Sequence, residues 1–248
     1  MSKIALITGA SSGIGWATAI ALADKGYDLI ICGRRKERLE ELASKFSVKT
    51  HQLIFDVRDR ADVEEQLNSL PAEWKAIDVL VNNAGNAHGL GKIHEGNVDD
   101  WDAMIDINVK GLLYVTKAIV PAMVERGSGH VVNIGSVAGK EAYPNGNVYC
   151  GSKHAVDAIN SGMRMDLLGT GVKVSQICPG LVETEFSMVR FKGDTEKSKS
   201  VYEGFDALQA EDIADVIQFV VTRPAHVNIA DTLIFPTAQV ASTMVHRK

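Results

Sequence analysis

Tyr149-Cys150-Gly151-Ser152-Lys153 sets a phenol and an ammonium four residues apart, one helical turn, on a common face. A cation at that spacing can lower the phenol's pKa and make it a usable proton donor near neutral pH. Upstream, Asn133-Ile134-Gly135-Ser136 closes a β-branched run and brings a hydroxyl able to polarise a carbonyl beside that phenol. The Tyr-x-x-x-Lys spacing recurs by chance, and the placement of Ser136 gives it weight.

A second group of residues has the chemistry of a nucleotide site. Thr8-Gly9-Ala10-Ser11-Ser12-Gly13-Ile14-Gly15 follows an apolar run and opens a helical one, so its glycines permit a tight turn and let the backbone approach a diphosphate at a helix N-terminus. The Gly-x-x-x-Gly-x-Gly spacing departs from the commoner dinucleotide fingerprint, and no Lys-Ser/Thr pair follows to make a P-loop. The plain alternative is a glycine turn that serves only helix–strand packing. Cys32-Gly33-Arg34-Arg35 ends the next apolar run, where an acidic residue would hold the ribose hydroxyls of NAD. Gly33 leaves that place empty, while Arg34, with Arg35 beside it, offers fork-shaped donors suited to a 2′-phosphate, which argues for NADP(H). Solvation of a helix start is the bland reading, but cations there oppose the helix dipole.

The elements that must hold these residues follow from periodicity. Short β-branched runs over 4–8, 28–32, 51–56, 79–82, 130–134, 173–177 and 231–235 predict strands, and amphipathic patterns over 15–25, 36–45, 59–69, 98–126, 149–168 and 212–222 predict helices. Such alternation implies right-handed βαβ crossovers and an α/β, Rossmann-type, doubly wound parallel sheet. Its ligands bind beyond the carboxyl ends of the strands. With no repeat or Pro/Ser-rich linker, residues 1–248 read as one domain. The polar segment 183–209 is too long for an idle connection and is expected to be a substrate-binding lid.

Composition bounds the partners. With 248 residues, 46% of them hydrophobic and 23% charged, the chain can bury a full core. Its net charge of −5, from 26 Lys and Arg against 31 Asp and Glu, leaves no basic footprint for nucleic acid and no polybasic membrane anchor. Cys32, Cys150 and Cys178 are odd in number and scattered, suggesting neither a metal site nor a disulfide framework and fitting a reducing cytoplasm. The apolar start at Ile4 is too short for a signal peptide, and no later run is expected to reach the length of a membrane span.

Taken together, Thr8 to Gly15, Asn82-Asn83-Ala84-Gly85, Asn108, Ser136, Tyr149, Lys153 and Pro179-Gly180 resemble the short-chain dehydrogenase/reductase family over nearly the whole chain. The resemblance implies a Ser136–Tyr149–Lys153 catalytic set. Tyr149 would exchange a proton with the carbonyl or alcohol oxygen, and Ser136 would orient the carbonyl. Lys153 would hold the nicotinamide ribose and depress the phenol pKa, and Asn108 would carry a water linking Lys153 to solvent. It also implies that Asp56 and Val57 face the adenine, that Asn82 and Ala84 line the cofactor cleft with Pro179 and Gly180, and that Val182 and Thr184 hold the carboxamide. Singly, Asn82-Asn83 reads equally as a turn, Asn108 as a helix hydrogen bond and Thr184 as a helix cap.

Within the family the chain is similar to the NADP-dependent 3-hydroxy acid dehydrogenases, which act on serine, allo-threonine and 3-hydroxypropionate or malonic semialdehyde. That likeness rests on Leu70-Pro71-Ala72-Glu73-Trp74, the segment 186–194 and Pro224-Ala225-His226-Val227-Asn228-Ile229. A small carboxylate offers little apolar area and needs a charged anchor, for which Arg190 is preferred over Lys192, and Tyr143 can add a hydrogen bond. A sulfonate would suit the same cation, so a sulfoacetaldehyde reductase forming isethionate is the rival reading. A 3-oxoacyl carrier-protein reductase is disfavoured because Asp231 to Thr237 lacks that branch's Asn-Gly-Gly, and a non-catalytic NADP sensor because Ser136, Tyr149 and Lys153 are all intact. The long helical runs carry apolar residues on more than one face, which suggests subunit contacts, and the family implies a homotetramer.

Overall fold

The β-branched runs form β1 (Ile4–Thr8), β2 (Asp28–Gly33), β3 (Thr50–Ile54), β4 (Ile77–Asn82), β5 (Gly129–Ile134), β6 (Val172–Pro179) and β7 (Asp231–Ile234) in the computed structural model, which describes residues 2–248. They make one parallel sheet in the order β3-β2-β1-β4-β5-β6-β7. Every residue of β1 is buried, as expected of a strand covered on both faces. Alternate side chains feed two cores: Leu6, Ile30, Leu80 and Val131 pack with Val115 and Met123 on one face, and Ile7, Ile31, Val81 and Val132 pack with Ile213 and Ile217 on the other. The strand order reverses between β1 and β4, and that switch point sets the ligand crevice at the carboxyl edge.

The covering helices are α1 (Gly13–Asp24), α2 (Lys36–Ala43), α3 (Arg60–Asn68), α4 (Val98–Ile105), α5 (Leu112–Arg126), α6 (Asn147–Asp166) and, late in the chain, α9 (Ala210–Val221). Asp59 caps α3 by accepting from Ala61 and Asp62, and Asn97 caps α4 by accepting from Asp99 and Asp100. The single helix expected over 98–126 is continuous but not uniform. Between α4 and α5 it widens into a π-helical stretch, Asp106–Gly111, that carries Asn108. At its end a Cβ on Gly111 would meet Val57 Cγ2 at 2.7 Å, so only glycine lets the helix lie this close to the cleft wall.

One expectation is corrected by the fold. The run Val98–Arg126 is long and apolar enough by composition to cross a membrane, against the expectation that none would be, yet half of its most apolar window is buried in this fold. Its apolar side is the core stripe Leu112, Val115, Ile119 and Met123. The segment 183–209, expected to be a lid, holds α7 (Phe186–Arg190) and α8 (Thr195–Ser200), too short for periodicity to register. A tail hairpin, β8 (Gln239–Ala241) with β9 (Met244–Val245), was likewise invisible to strand-period reading.

Candidate active site

The cofactor end is built by backbone steric demands. Gly9 has φ +67°, in the left-handed region, and a Cβ there would stand 2.9 Å from Ala84 Cα. Gly13, at φ +53°, faces Thr184 across the crevice, where a Cβ would lie 3.3 Å from the threonine. Thr8 Oγ1 accepts from the amides of Asn83 and Ala84, both at 3.0 Å, so the loops leaving β1 and β4 are stapled together. A cavity of about 510 Å³ opens between them, lined by Gly9, Ser11, Ser12, Gly13, Ile14, Arg34, Arg35, Asp56, Val57 and Ala84. Its floor and far wall hold Ser136, Tyr143, Tyr149, Lys153, Pro179, Gly180, Val182, Thr184 and Arg190. The volume lies in the usual range for a small-molecule site.

Asn82 and Gly15 do not line this cavity, contrary to expectation. Asn82 is buried and donates to Thr116 Oγ1 and Asn133 Oδ1, both at 3.0 Å, and it is Asn83 that reaches the wall. A strand-end doublet points its two side chains to opposite sides, and the buried side took Asn82. Gly15 lies behind the loop, where any side chain would strike the Gly9 carbonyl and the Asn83 amide.

The two arginines are in different states. Arg35 folds over the glycine loop, donating to Ser11 Oγ at 3.2 Å and Ser11 O at 3.1 Å, and pairs with Glu185 at 2.9 Å. Arg34 is 57% exposed and has only a loose contact with Asp56, at 3.6 Å. Burial works to raise the Asp56 carboxyl, but hydrogen bonds from Arg58 and the charges of Arg58 and Arg34 outweigh it and hold the group below the ordinary carboxylate range. Arg34 is therefore the cation left open to a phosphate, and the open groove with its glycine cradle fits a dinucleotide.

The chemical end sits on the first two turns of α6. Lys153 is buried and donates to the Ile134 carbonyl at 2.8 Å. Burial pulls its pKa down to about 8. Ser136 accepts from the Ala138 amide at 3.1 Å, which fixes its hydroxyl at the strand end. Burial pushes the Tyr149 phenol well up, reinforced by Tyr143, and the leading opposing groups are Arg190 and Ser136. The cation expected to depress the phenol, Lys153, is instead tied to a carbonyl and has its own charge weakened by burial.

Arg190 comes from α7. Its guanidinium lies 5.0 Å from the Tyr149 ring centroid, between the rings of Tyr143 at 5.7 Å and Phe186 at 5.8 Å. Nη2 donates to the Tyr143 hydroxyl at 2.6 Å, whereas Nε is buried without a partner. Among the described residues no carboxylate pairs with it. Lys192, the other candidate anchor, turns away at φ +53° and pairs with Asp100 at 2.9 Å, outside the cavity wall.

Asn108 is held by three hydrogen bonds. Its Oδ1 accepts from the Asn86 amide at 2.9 Å, and its Nδ2 donates to Asn86 O at 2.9 Å and Ser152 Oγ at 3.0 Å. The side chain thus braces the loop after β4 against α6 rather than facing the cleft. Among the wall residues that escaped the sequence reading are Asn83, Phe186 and Gln239. Asn83 was half-signalled by its doublet, Phe186 packs its ring tilted against Tyr149 with centroids 5.6 Å apart, and Gln239 of the tail hairpin accepts from Leu181 at 2.9 Å. Nothing local in the sequence marks the last two.

Comparison with known proteins agrees with this geometry. The short chain dehydrogenase profile matches residues 3–195. The chain is 49% identical over 246 residues to an NADP-dependent 3-hydroxy acid dehydrogenase of Salmonella typhi, covering 98% of this chain and 99% of the relative. It is 46% identical over 242 residues to sulfoacetaldehyde reductase 2 of Chromohalobacter salexigens, covering 96% of each. A solved structure, the closed form of serine dehydrogenase complexed with NADP+, superposes with a TM-score of 0.95 at 47% identity, covering 99% of this chain and all of that one.

Proposed function

The chain belongs to the short-chain dehydrogenase family, and on that premise we propose that it transfers a hydride between NADP(H) and a small 3-hydroxy acid or its semialdehyde, such as serine, allo-threonine or 3-hydroxypropionate. The observation that carries the substrate class is Arg190, a cation without a carboxylate partner held 5.0 Å from the ring of the proton donor Tyr149. An acid group on that guanidinium sets the substrate's C3 oxygen within reach of the Tyr149 and Ser136 hydroxyls, and Tyr143 adds a further donor.

NADP(H) supplies or accepts the hydride at C3. Ser136 orients the oxygen, and Tyr149 gives it a proton during reduction or takes one during oxidation. Lys153 holds the nicotinamide ribose, Arg34 meets the 2′-phosphate, and the amides of the glycine loop approach the diphosphate at the start of α1. Residues 183–209, with α7 and α8, act as the lid that closes Arg190 onto the acid. Asn108 braces the turn of α6 between Tyr149 and Lys153, through Ser152, against the loop at Asn86.

A guanidinium suits a sulfonate as well as a carboxylate, and the 46% identity to a sulfoacetaldehyde reductase keeps isethionate formation as the second reading. The test is NADPH oxidation with malonic semialdehyde, sulfoacetaldehyde, a neutral short aldehyde and an acetoacetyl thioester. Preference for the carboxylate supports the first reading and preference for sulfoacetaldehyde replaces it with the second. Equal turnover of the neutral aldehyde removes the anchor.

The assembly we propose is a homotetramer. Leu113, Val120, Pro121 and Val124 of α5 line an apolar groove with Ile159 and Met163 of α6, and Val240 and Met244 of the tail hairpin are exposed. Three free, buried cysteines suit a reducing cytoplasm.

A further inference from the structure

Resting on the reading of Arg190 as the anion anchor, we propose that the same guanidinium also sets how tightly the Tyr149 hydroxyl holds its proton, and that a carboxylate bound to it strengthens that hold.

The geometry gives one cation two duties. The guanidinium is enclosed by the rings of Tyr143, Tyr149 and Phe186, with one N–H on the Tyr143 hydroxyl and a buried Nε that has no acceptor. The other titratable charge beside Tyr149 is Lys153, pulled down to about 8 by burial, and it acts alike on anionic and neutral substrates. Cys150 and Lys153 share its helix, and Lys153 is held by Ile134 O. Tyr143 is neutral near pH 7, with its phenol raised by burial. Trp101 and Met104 of α4, Ala87 after β4, Ala138 after Ser136 and Phe186 of α7 complete the packing and carry no charge.

A full positive charge about 5 Å from a phenol in a partly desolvated cleft favours the phenolate. When a substrate carboxylate settles on Arg190, the pair is close to neutral and that pull is cancelled. The protonated phenol, which reduction requires, then persists to higher pH. Oxidation of the alcohol requires the phenolate and moves to higher pH by the same amount. An anionic substrate thus prepares its own proton donor, whereas a neutral aldehyde leaves the guanidinium unpaired.

The experiment compares pH profiles of kcat, which reports the ternary complex, and of kcat/KM, which reports the enzyme before substrate binds. For NADPH-driven reduction of malonic semialdehyde, the alkaline limb of kcat is expected about one pH unit above that of kcat/KM. For a neutral short aldehyde the two limbs coincide. Arg190→Gln removes the separation, and Arg190→Lys, which keeps the charge, preserves it. Coinciding limbs with malonic semialdehyde in the unmodified enzyme, or a separation that survives Arg190→Gln, overturn the proposal. If Arg190→Gln raises KM for the anion while the limbs already coincide, the anchor stands and only the proton coupling falls. If it changes neither KM nor the limbs, the anchor falls too.

Discussion

The Lys192 ammonium meets the Asp100 carboxylate at 2.9 Å, joining the turn after α7 to α4. Beside it the Gly89 amide donates to the Arg190 carbonyl at 2.8 Å, so the chain that carries the proposed anchor is latched on both sides. Lys192→Met should loosen this closure and lower kcat/KM for an acidic substrate about 2- to 5-fold, the range of a partly exposed ion pair. Because exposed charges are screened, the unmodified enzyme should lose part of the same advantage at high salt. Equal kcat/KM for both proteins at low salt would show that the pair does not help closure.

Tyr149→Phe removes the proposed proton donor and leaves a ring that still packs on Phe186 and Met104. Turnover should fall by about 10²- to 10⁴-fold or more, the usual range for a general acid, with NADPH affinity close to normal. Fluorescence titration of NADPH beside steady-state rates checks both halves, and a variant retaining most of its kcat would exclude Tyr149 as the donor.

The two adjacent arginines should separate on mutation. Arg34→Glu removes the open cation and adds repulsion, so the NADPH/NADH ratio of kcat/KM should drop about 10- to 100-fold, as loss of a charge-assisted contact implies. Arg35 braces Ser11 in the glycine loop, so Arg35→Ala should weaken both cofactors together. Arg35→Ala discriminating between cofactors while Arg34→Glu does not would reverse the assignment.

Lys153 makes stability depend on alkaline pH in a defined direction. Burial lowers its pKa from 10.5 to about 8, so between those values the unfolded chain holds more of this proton than the folded one. Stability contributed by this group therefore rises as pH climbs from about 8 toward 10.5, and the penalty for burying the charge is full below 8. Lys153→Met should abolish turnover yet raise Tm at pH 7, with the Tm difference shrinking by pH 10. A difference that is constant over that range would mean that the buried ammonium carries no such penalty.

Much of this was legible because it is local. The left-handed turn at Gly9, the one-turn spacing of Tyr149 and Lys153 and the strand rhythm follow from Cβ sterics and burial period, which each segment carries in its own residues. Boundaries moved by a few residues at most: the helix expected over 149–168 is Asn147–Asp166, and the strand over 173–177 is Val172–Pro179. The widened turn at Asn108 left no trace in a pattern whose apolar period continues through it. α7 and α8 are shorter than any window that could reveal them.

The sequence by itself determined that a nucleotide end and a Ser136–Tyr149–Lys153 end exist on one doubly wound sheet. Only the tertiary structure decided which residues face them. Between Asn82 and Asn83 the choice fell to the strand's buried side, where Thr116 and Asn133 receive Asn82. Between Arg190 and Lys192 it fell to Asp100, which takes the lysine and leaves the arginine over Tyr149. Pairing of charges and hydrogen bonds depends on distance in space, and residues 40 or more apart in the chain become neighbours only once the sheet has closed over its cores.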